Sequence, residues 1–329
     1  MRRTCPSLLA AGCISAIVAT AAIGGNGTWG PSHGPEVEVG TLAVDAKSPN
    51  TVFAGTPDGL FRSGDGGASW QRTTAWARMG DASSDIISLA AHSGAGRAVY
   101  VGTYDGLYKS TNGGRRWSGI NNGLNTKFEI EVHALAIDPR NPKIVYAGLW
   151  GAGVHKSMDG GRSWRVVKGG VSVYALAIDR RRPRIVYAAT GSGLNRSTDA
   201  GRTWKWLPQT FGRFNKLAID SSRPGTIYAV AWGGVVKSVD AGLTWREMKD
   251  GFPETTDYAV EDIVIDPRRG MTIYAATPVG VFRSTDGAEH WQPFSDGLGT
   301  TRVNALAINP SGRTLYAGTS DGVVDYTFP

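Results

Sequence analysis

Along most of its length the chain alternates short apolar runs with clusters of Gly, Pro, Asn and Asp. Leu42-Ala43-Val44-Asp45 leads into Val52-Phe53-Ala54-Gly55-Thr56 and then Gly59-Leu60-Phe61-Arg62-Ser63. The same succession returns at Leu135, Leu176, Leu217, Ile263 and Leu306, with a weaker copy at Leu89, at spacings of 41 to 47 residues. No stretch has the periodicity of an amphipathic helix, and runs this short between turn formers read as strands. Self-similarity at such a period signals a solenoid or a propeller. Each unit supplies four strands, A to D, and seven units predict an all-β, seven-bladed β-propeller of four-stranded antiparallel blades.

A second signature sits between strands C and D. SGDGGASW at 63–70 returns as STNGGRRW, SMDGGRSW, STDAGRTW, SVDAGLTW and STDGAEHW. A carboxylate in a tight turn accepts hydrogen bonds from nearby backbone amides, and glycine supplies positive φ without steric cost. Asp65, Asp159, Asp199, Asp240 and Asp286 therefore read as turn staples, with Asn112 an isosteric substitute. The closing indoles, Trp70, Trp117, Trp164, Trp204, Trp245 and Trp291, offer apolar plates to the adjoining sheet. The seventh unit lacks a box. Asn26-Gly27-Thr28-Trp29 matches the end of one, and Trp29 precedes Val39 by the interval that separates Trp204 from Phe214. A strand over about residues 26–34 is thus expected to complete the last blade and remove an exposed edge.

The 329 residues include 45 glycines and 11 tryptophans but only 5 methionines, in keeping with many tight turns between short strands. Arg2 and Arg3 precede an apolar run over 7–18, and Ala19-Thr20-Ala21 offers a small-x-small cleavage site. Residues 1–21 read as a signal peptide, leaving 22–329 as one propeller, secreted or periplasmic. Both cysteines, Cys5 and Cys13, fall inside that leader, so disulfides and thiol nucleophiles are not expected. A lipid anchor on Cys13 is the weaker alternative. No other segment has the apolar length of a membrane span. The formal charge of +7 is spread along the sequence, with no basic run beyond Arg180–Arg182, which does not describe a nucleic-acid footprint.

The repeated S-x-D-x-G-x-[S/T]-W resembles the Asp-box, or BNR repeat, and the chain is similar over its mature length to secreted bacterial Asp-box propellers. Box six departs, with Ala288 and His290 at the expected Gly and Ser/Thr. The resemblance implies a family that includes sialidases, sortilin-type receptor domains, xyloglucan hydrolases and photosystem II assembly factors. It implies a fold and leaves the chemistry open.

Ligands of such rings are expected at the D–A and B–C connections. The residues entering strand A form a candidate polar pocket of Asp85, Glu131, His133, Tyr174, Arg213, Asn215, Glu261 and Arg302. The B–C turns add Tyr104, Trp150 and Trp232, and Trp76 lies in a long D–A connection. Aromatics beside polar groups suit sugar stacking or a protein partner. Glu131, Glu261, Asp85 and Tyr174 are the catalytic candidates, because a glycosidase needs two carboxyls at defined separation. A sialidase would need three clustered arginines; a third is not identifiable and the family's Arg-Ile-Pro motif is absent. The scattered histidines lack metal spacing, no cofactor loop is found, and no cofactor is expected. The expectation is a monomeric, non-catalytic scaffold binding glycan or protein; a polysaccharide hydrolase or an assembly factor for a membrane or photosynthetic complex are the alternatives.

Overall fold

A computed structural model describes residues 27–30, 34–73, 85–92, 98–124, 130–207, 211–254, 259–298 and 302–329. The leader, both cysteines and Trp76 lie outside the described residues, as does part of the segment expected to close the ring. The chain is a seven-bladed β-propeller: six sheets are four-stranded in the order A-B-C-D, and the seventh has three strands. In blade three, strand A is Val132–Ile137, B Val145–Leu149, C Gly153–Ser157 and D Arg165–Lys168, all antiparallel. Strand B is buried at every position in each of the seven apolar sequences, apart from the first residue of two of them. A strand packed on both faces needs such continuous apolar character. Strand A is half-exposed because it lines the axis, and D is short and solvated.

Each box is held as its chemistry dictates. In blade three the Ser157 hydroxyl donates to Asp159 Oδ1 at 2.8 Å and accepts from Gly161 N–H at 2.7 Å. Asp159 Oδ1 and Oδ2 also accept from the Ser163 N–H and hydroxyl, at 3.0 and 2.6 Å. These bonds, the Ser163 hydroxyl foremost, hold the Asp159 carboxyl well below the ordinary carboxylate range. Asn112 takes the same place with one oxygen, accepting from Ser110 and Arg116. Box six keeps its backbone bond from His290 to Asp286, and Ala288 adopts φ 71° where its relatives have glycine.

Blades are tied to their neighbours by two recurring devices. A buried tyrosine on strand B donates its hydroxyl to a carbonyl in the next blade's box: Tyr100 to Gly160, Tyr146 to Ala200, Tyr187 to Ala241, Tyr228 to Gly287 and, across the end of the circuit, Tyr316 to Gly66. Five of the six box indoles divide into two sets, while the buried Trp204 Nε1 has no hydrogen-bond partner among the described residues. Trp70, Trp117 and Trp245 donate to the glycine three residues earlier in their own boxes. Trp164 and Trp291 instead donate to the preceding blade, to Ile120 O at 2.8 Å and Met248 O at 3.1 Å. Their backbone N–H groups bond Asn122 O and Asp250 O in Asn/Asp-Gly turns of that blade.

Trp29 follows this second pattern. Its indole donates to Phe294 O at 2.7 Å, its N–H reaches Asp296 O at 3.4 Å, and Gly297 completes the matching turn. An antiparallel bridge links Trp29 to Tyr326 in the last strand, and Gly30 N–H bonds Asp325 O. The last blade thus receives the amino-terminal segment on its outer strand, beside Tyr326 and Phe328.

Candidate functional site

The B–C turns and the starts of the A strands share one end of the ring. There Trp150 N–H bonds Glu131 O at 3.1 Å, and Gly151 N–H bonds the Ser172 hydroxyl at 3.0 Å, so the blade-three turn leans on the next blade. This seats a contiguous group of side chains. His133 lies 5.5 Å from Trp150 and 6.2 Å from Tyr104 between ring centroids, and its Nε2 is 2.9 Å from Glu131 Oε2. Trp150 meets Tyr174 edge-on at 5.5 Å, and the Arg213 guanidinium stands 4.5 Å over the Tyr174 ring. A cation over an aromatic face is electrostatically favoured, and it holds the guanidinium without a carboxylate. Six of the eleven sequence candidates, Tyr104, Glu131, His133, Trp150, Tyr174 and Arg213, therefore touch in one chain across blades two to five.

Trp232 extends this strip. It is 75% exposed and sits at φ 48°, a backbone region that strains a bulky residue and persists only where the surrounding turn holds it. Phe211 flanks it at 6.5 Å. Trp150 and Tyr104 are 43% and 39% exposed, so three aromatic faces are open to solvent at this end.

The remaining candidates lie elsewhere. Arg302 donates to Glu261 at 2.6 Å and to Asn304 at 3.0 Å, and Asn304 donates to Glu38 at 3.1 Å, giving a second network over blades six, seven and one. Among the described residues Asp85 and Asn215 make no hydrogen bond or ion pair with either group. Glu131 and Glu261 stand three blades apart in separate networks, and Arg213 and Arg302 are likewise divided. Asp262 is engaged by Lys216 at 3.8 Å and by Leu306 N–H at 3.0 Å. Among the described residues no three His, Cys, Asp or Glu side chains gather as metal ligands. Sequence reasoning missed Phe211, Glu38 and Asn304 as members of these groups. Alignment of the repeats puts Glu38 and Asn304 at the same height as the chosen candidates, while Phe211 lies in a D–A connection that the alignment does not reach.

The opposite end corrects the reading of the charge as dispersed. Among the described residues, the A–B loops of six blades begin with an Asp or Asn that accepts N–H groups of its own turn, and they project from this end. Among the described residues, blade three brings Arg140 and Lys143, blade four Arg180, Arg181, Arg182 and Arg184, blade six Arg268 and Arg269, and blades one, five and seven Lys47, Arg223 and Arg313. The acids among them, Asp45, Asp138, Asp179, Asp220 and Asp266, are buried and accept N–H groups of their own turns. Repetition collects on one face what the linear sequence scatters at each repeat. A cavity of about 530 Å³ opens here, and it meets the axial channel of about 520 Å³.

No protein-family model matches the chain, and no curated protein matches it in sequence. Solved structures do share its fold. The GH74 xyloglucanase from Xanthomonas campestris superposes with a TM-score of 0.73 at 20% identity, over 91% of this chain and 53% of that one. YCF48 from Cyanidioschyzon merolae gives 0.66 at 17% identity, over 92% and 99%. A structure of YCF48 bound to D1 peptide gives 0.69 at 16% identity, over 92% and 95%. The chain spans about half the length of the xyloglucanase and nearly the whole length of YCF48. These likenesses establish the propeller fold.

Proposed function

We propose that this is a secreted or periplasmic, non-catalytic Asp-box propeller that binds a glycan across its B–C face. The observation that carries the reading is the strip of exposed indole and phenol faces beside a stacked guanidinium and a Glu–His pair. Flat apolar plates edged by hydrogen-bonding groups match the two faces of a pyranose, whose C–H face is apolar and whose rim is hydroxylated. The separation of Glu131 from Glu261 into different networks favours binding over hydrolysis, since a glycosidase brings two carboxyls within about 5–9.5 Å. Residues 1–21 act in this reading as the cleaved leader, and the mature ring works as a monomer.

A glycan array with isothermal titration of the best ligand tests the proposal. Trp150→Ala should lower affinity at least tenfold with an unchanged thermal midpoint. Release of reducing sugar, abolished in Glu131→Gln, would replace the binding reading with a hydrolase of extracellular polysaccharide. A protein segment is the second reading, because Trp, Tyr and Arg are also the residue types that dominate protein interfaces. Recovery of a stable envelope partner sensitive to Trp232→Ala, with no glycan bound, would favour that reading and the assembly-factor role. Amino-terminal sequencing of the exported protein checks cleavage after Ala21.

A further inference from the structure

The axial channel changes character along its length. Near the B–C end the inner strands carry Lys216 and Asp262, held 3.8 Å apart. Toward the A–B end its wall is largely aliphatic, with Leu42, Ala90, Ala136, Ile178, Ile219 and Ile308 among residues drawn from all seven blades, and His92 is the one imidazole among the described lining residues. Four strand residues span about 13 Å, which sets the depth of this apolar wall. At the A–B mouth the channel runs into the cavity lined by Arg180, Arg181 and Arg268 with the Ser221 hydroxyl. Arg180, Ile219 and Pro310 line both spaces, so a cation stands where the aliphatic wall ends.

The carboxylates near this mouth are already engaged. Asp220 accepts from Ser222 and pairs with Arg223 at 3.3 Å, and Asp266 pairs with Arg268 at 3.9 Å. Among the described residues no carboxylate lies within ion-pair distance of Arg180 or Arg181. Arg180 N–H donates to the Ser221 oxygen, which leaves that hydroxyl's proton directed elsewhere.

We infer that the A–B mouth and axial channel form a second site, separate from the aromatic strip, for a single-tailed amphiphile with an anionic head such as a fatty acid or a lysophospholipid. The tail enters the aliphatic half of the channel and is freed from water. The head rests against the guanidinium groups of Arg180 and Arg181 and the Ser221 hydroxyl. Apolar surface without cations would admit any alkyl chain, and cations without the channel would admit any anion; this end of the ring carries both, joined at Arg180.

Titration calorimetry below micellar concentrations, with alkyl phosphates as probes, tests the site. Decyl phosphate should bind at least tenfold tighter than inorganic phosphate and than a nonionic decyl glycoside. In the unmodified protein, affinity should rise about two- to fourfold per methylene from hexyl to decyl, the gain expected from burying each group. Arg180→Glu should weaken decyl phosphate at least tenfold and leave the nonionic probe unchanged. Ala136→Phe, checked for an unchanged thermal midpoint, should flatten the chain-length series. A flat series in the unmodified protein would overturn the inference without relying on any variant. Equal binding of phosphate and decyl phosphate would reduce the site to a bare anion cradle. Attachment confined to anionic phosphatidylglycerol vesicles would replace it with adsorption to a bilayer surface.

Discussion

His155 stands on strand C of blade three with no exposed surface, and the Gly153 backbone is the one polar group among the described residues that partly offsets its burial. Burial pushes its pKa below the ordinary 6.5 and keeps it neutral in the folded chain. The unfolded chain takes up a proton there as pH falls through about 6.5, so stability is lost on acidification, at up to about 1.4 kcal/mol per pH unit, until the folded imidazole also titrates. His155→Leu should remove that slope between pH 6.5 and 5, read by urea titration at several pH values. Asp159 acts in a lower window. Its depressed pKa contributes stability above about 3.8 that disappears as pH falls below that value. Ser157 is fully buried and holds Gly161 N–H, so Ser157→Ala strands a donor and should cost about 1–3 kcal/mol in the same urea assay. The box chemistry was legible residue by residue because its partners lie within four positions. His155 was not, since nothing local to Val154-His155-Lys156 distinguishes a buried imidazole from an exposed one.

At the scale of elements, the blades owe their angular placement to contacts that skip between repeats. Gly251 shows how tight these are: at φ 88° a Cβ would lie 1.9 Å from Trp291 O. Gly251→Ala should therefore lose about 2–4 kcal/mol, combining the left-handed backbone with a broken latch. Gly40→Ala, where a Cβ would meet no atom within 4 Å, should stay within about 0.5 kcal/mol and serve as the control. Thermal midpoints of the pair decide it. Tyr146→Phe, which removes only the hydroxyl bond to Ala200, should fall between them at about 1–2 kcal/mol. Strand order was readable from the apolar runs. The division of the tryptophans was not, because whether an indole folds back or reaches across depends on an Asn/Asp-Gly turn about forty residues earlier. The aromatic strip was half legible for a related reason. Alignment of the repeats picks positions that share a height on the ring, and that brought Glu131, His133, Tyr174 and Arg213 together. Height alone does not make a pocket, and Glu261 and Arg302 entered the same list although their blades lie across the ring from blade three.

For the whole molecule, two ends of one ring carry different chemistry: aromatic plates among carboxylates at one, guanidinium groups around an aliphatic channel at the other. Circular repetition produces this sorting, since each loop type always leaves from the same end. It also makes closure a single event. Trp29 is 5% exposed and packs on Phe294 and Tyr326, so Trp29→Ala should cost about 3–5 kcal/mol and deletion of 22–34 at least as much, seen as a lower calorimetric midpoint. An unchanged midpoint would show that the seam contributes nothing to the ring.

The indole bond from Trp29 to Phe294 and the hydroxyl bond from Tyr316 to Gly66 join positions 265 and 250 apart, whereas the other latches join consecutive repeats. Blades one to six can zip up sequentially through short-range pairing, but this clasp must wait until both flanks exist. In native-state hydrogen exchange the amides of Gly30 and Tyr326 should accordingly open at lower free energy than those around Trp291, with the remaining blades still protected. The circle would then breathe at one fixed place, like a bracelet at its fastening.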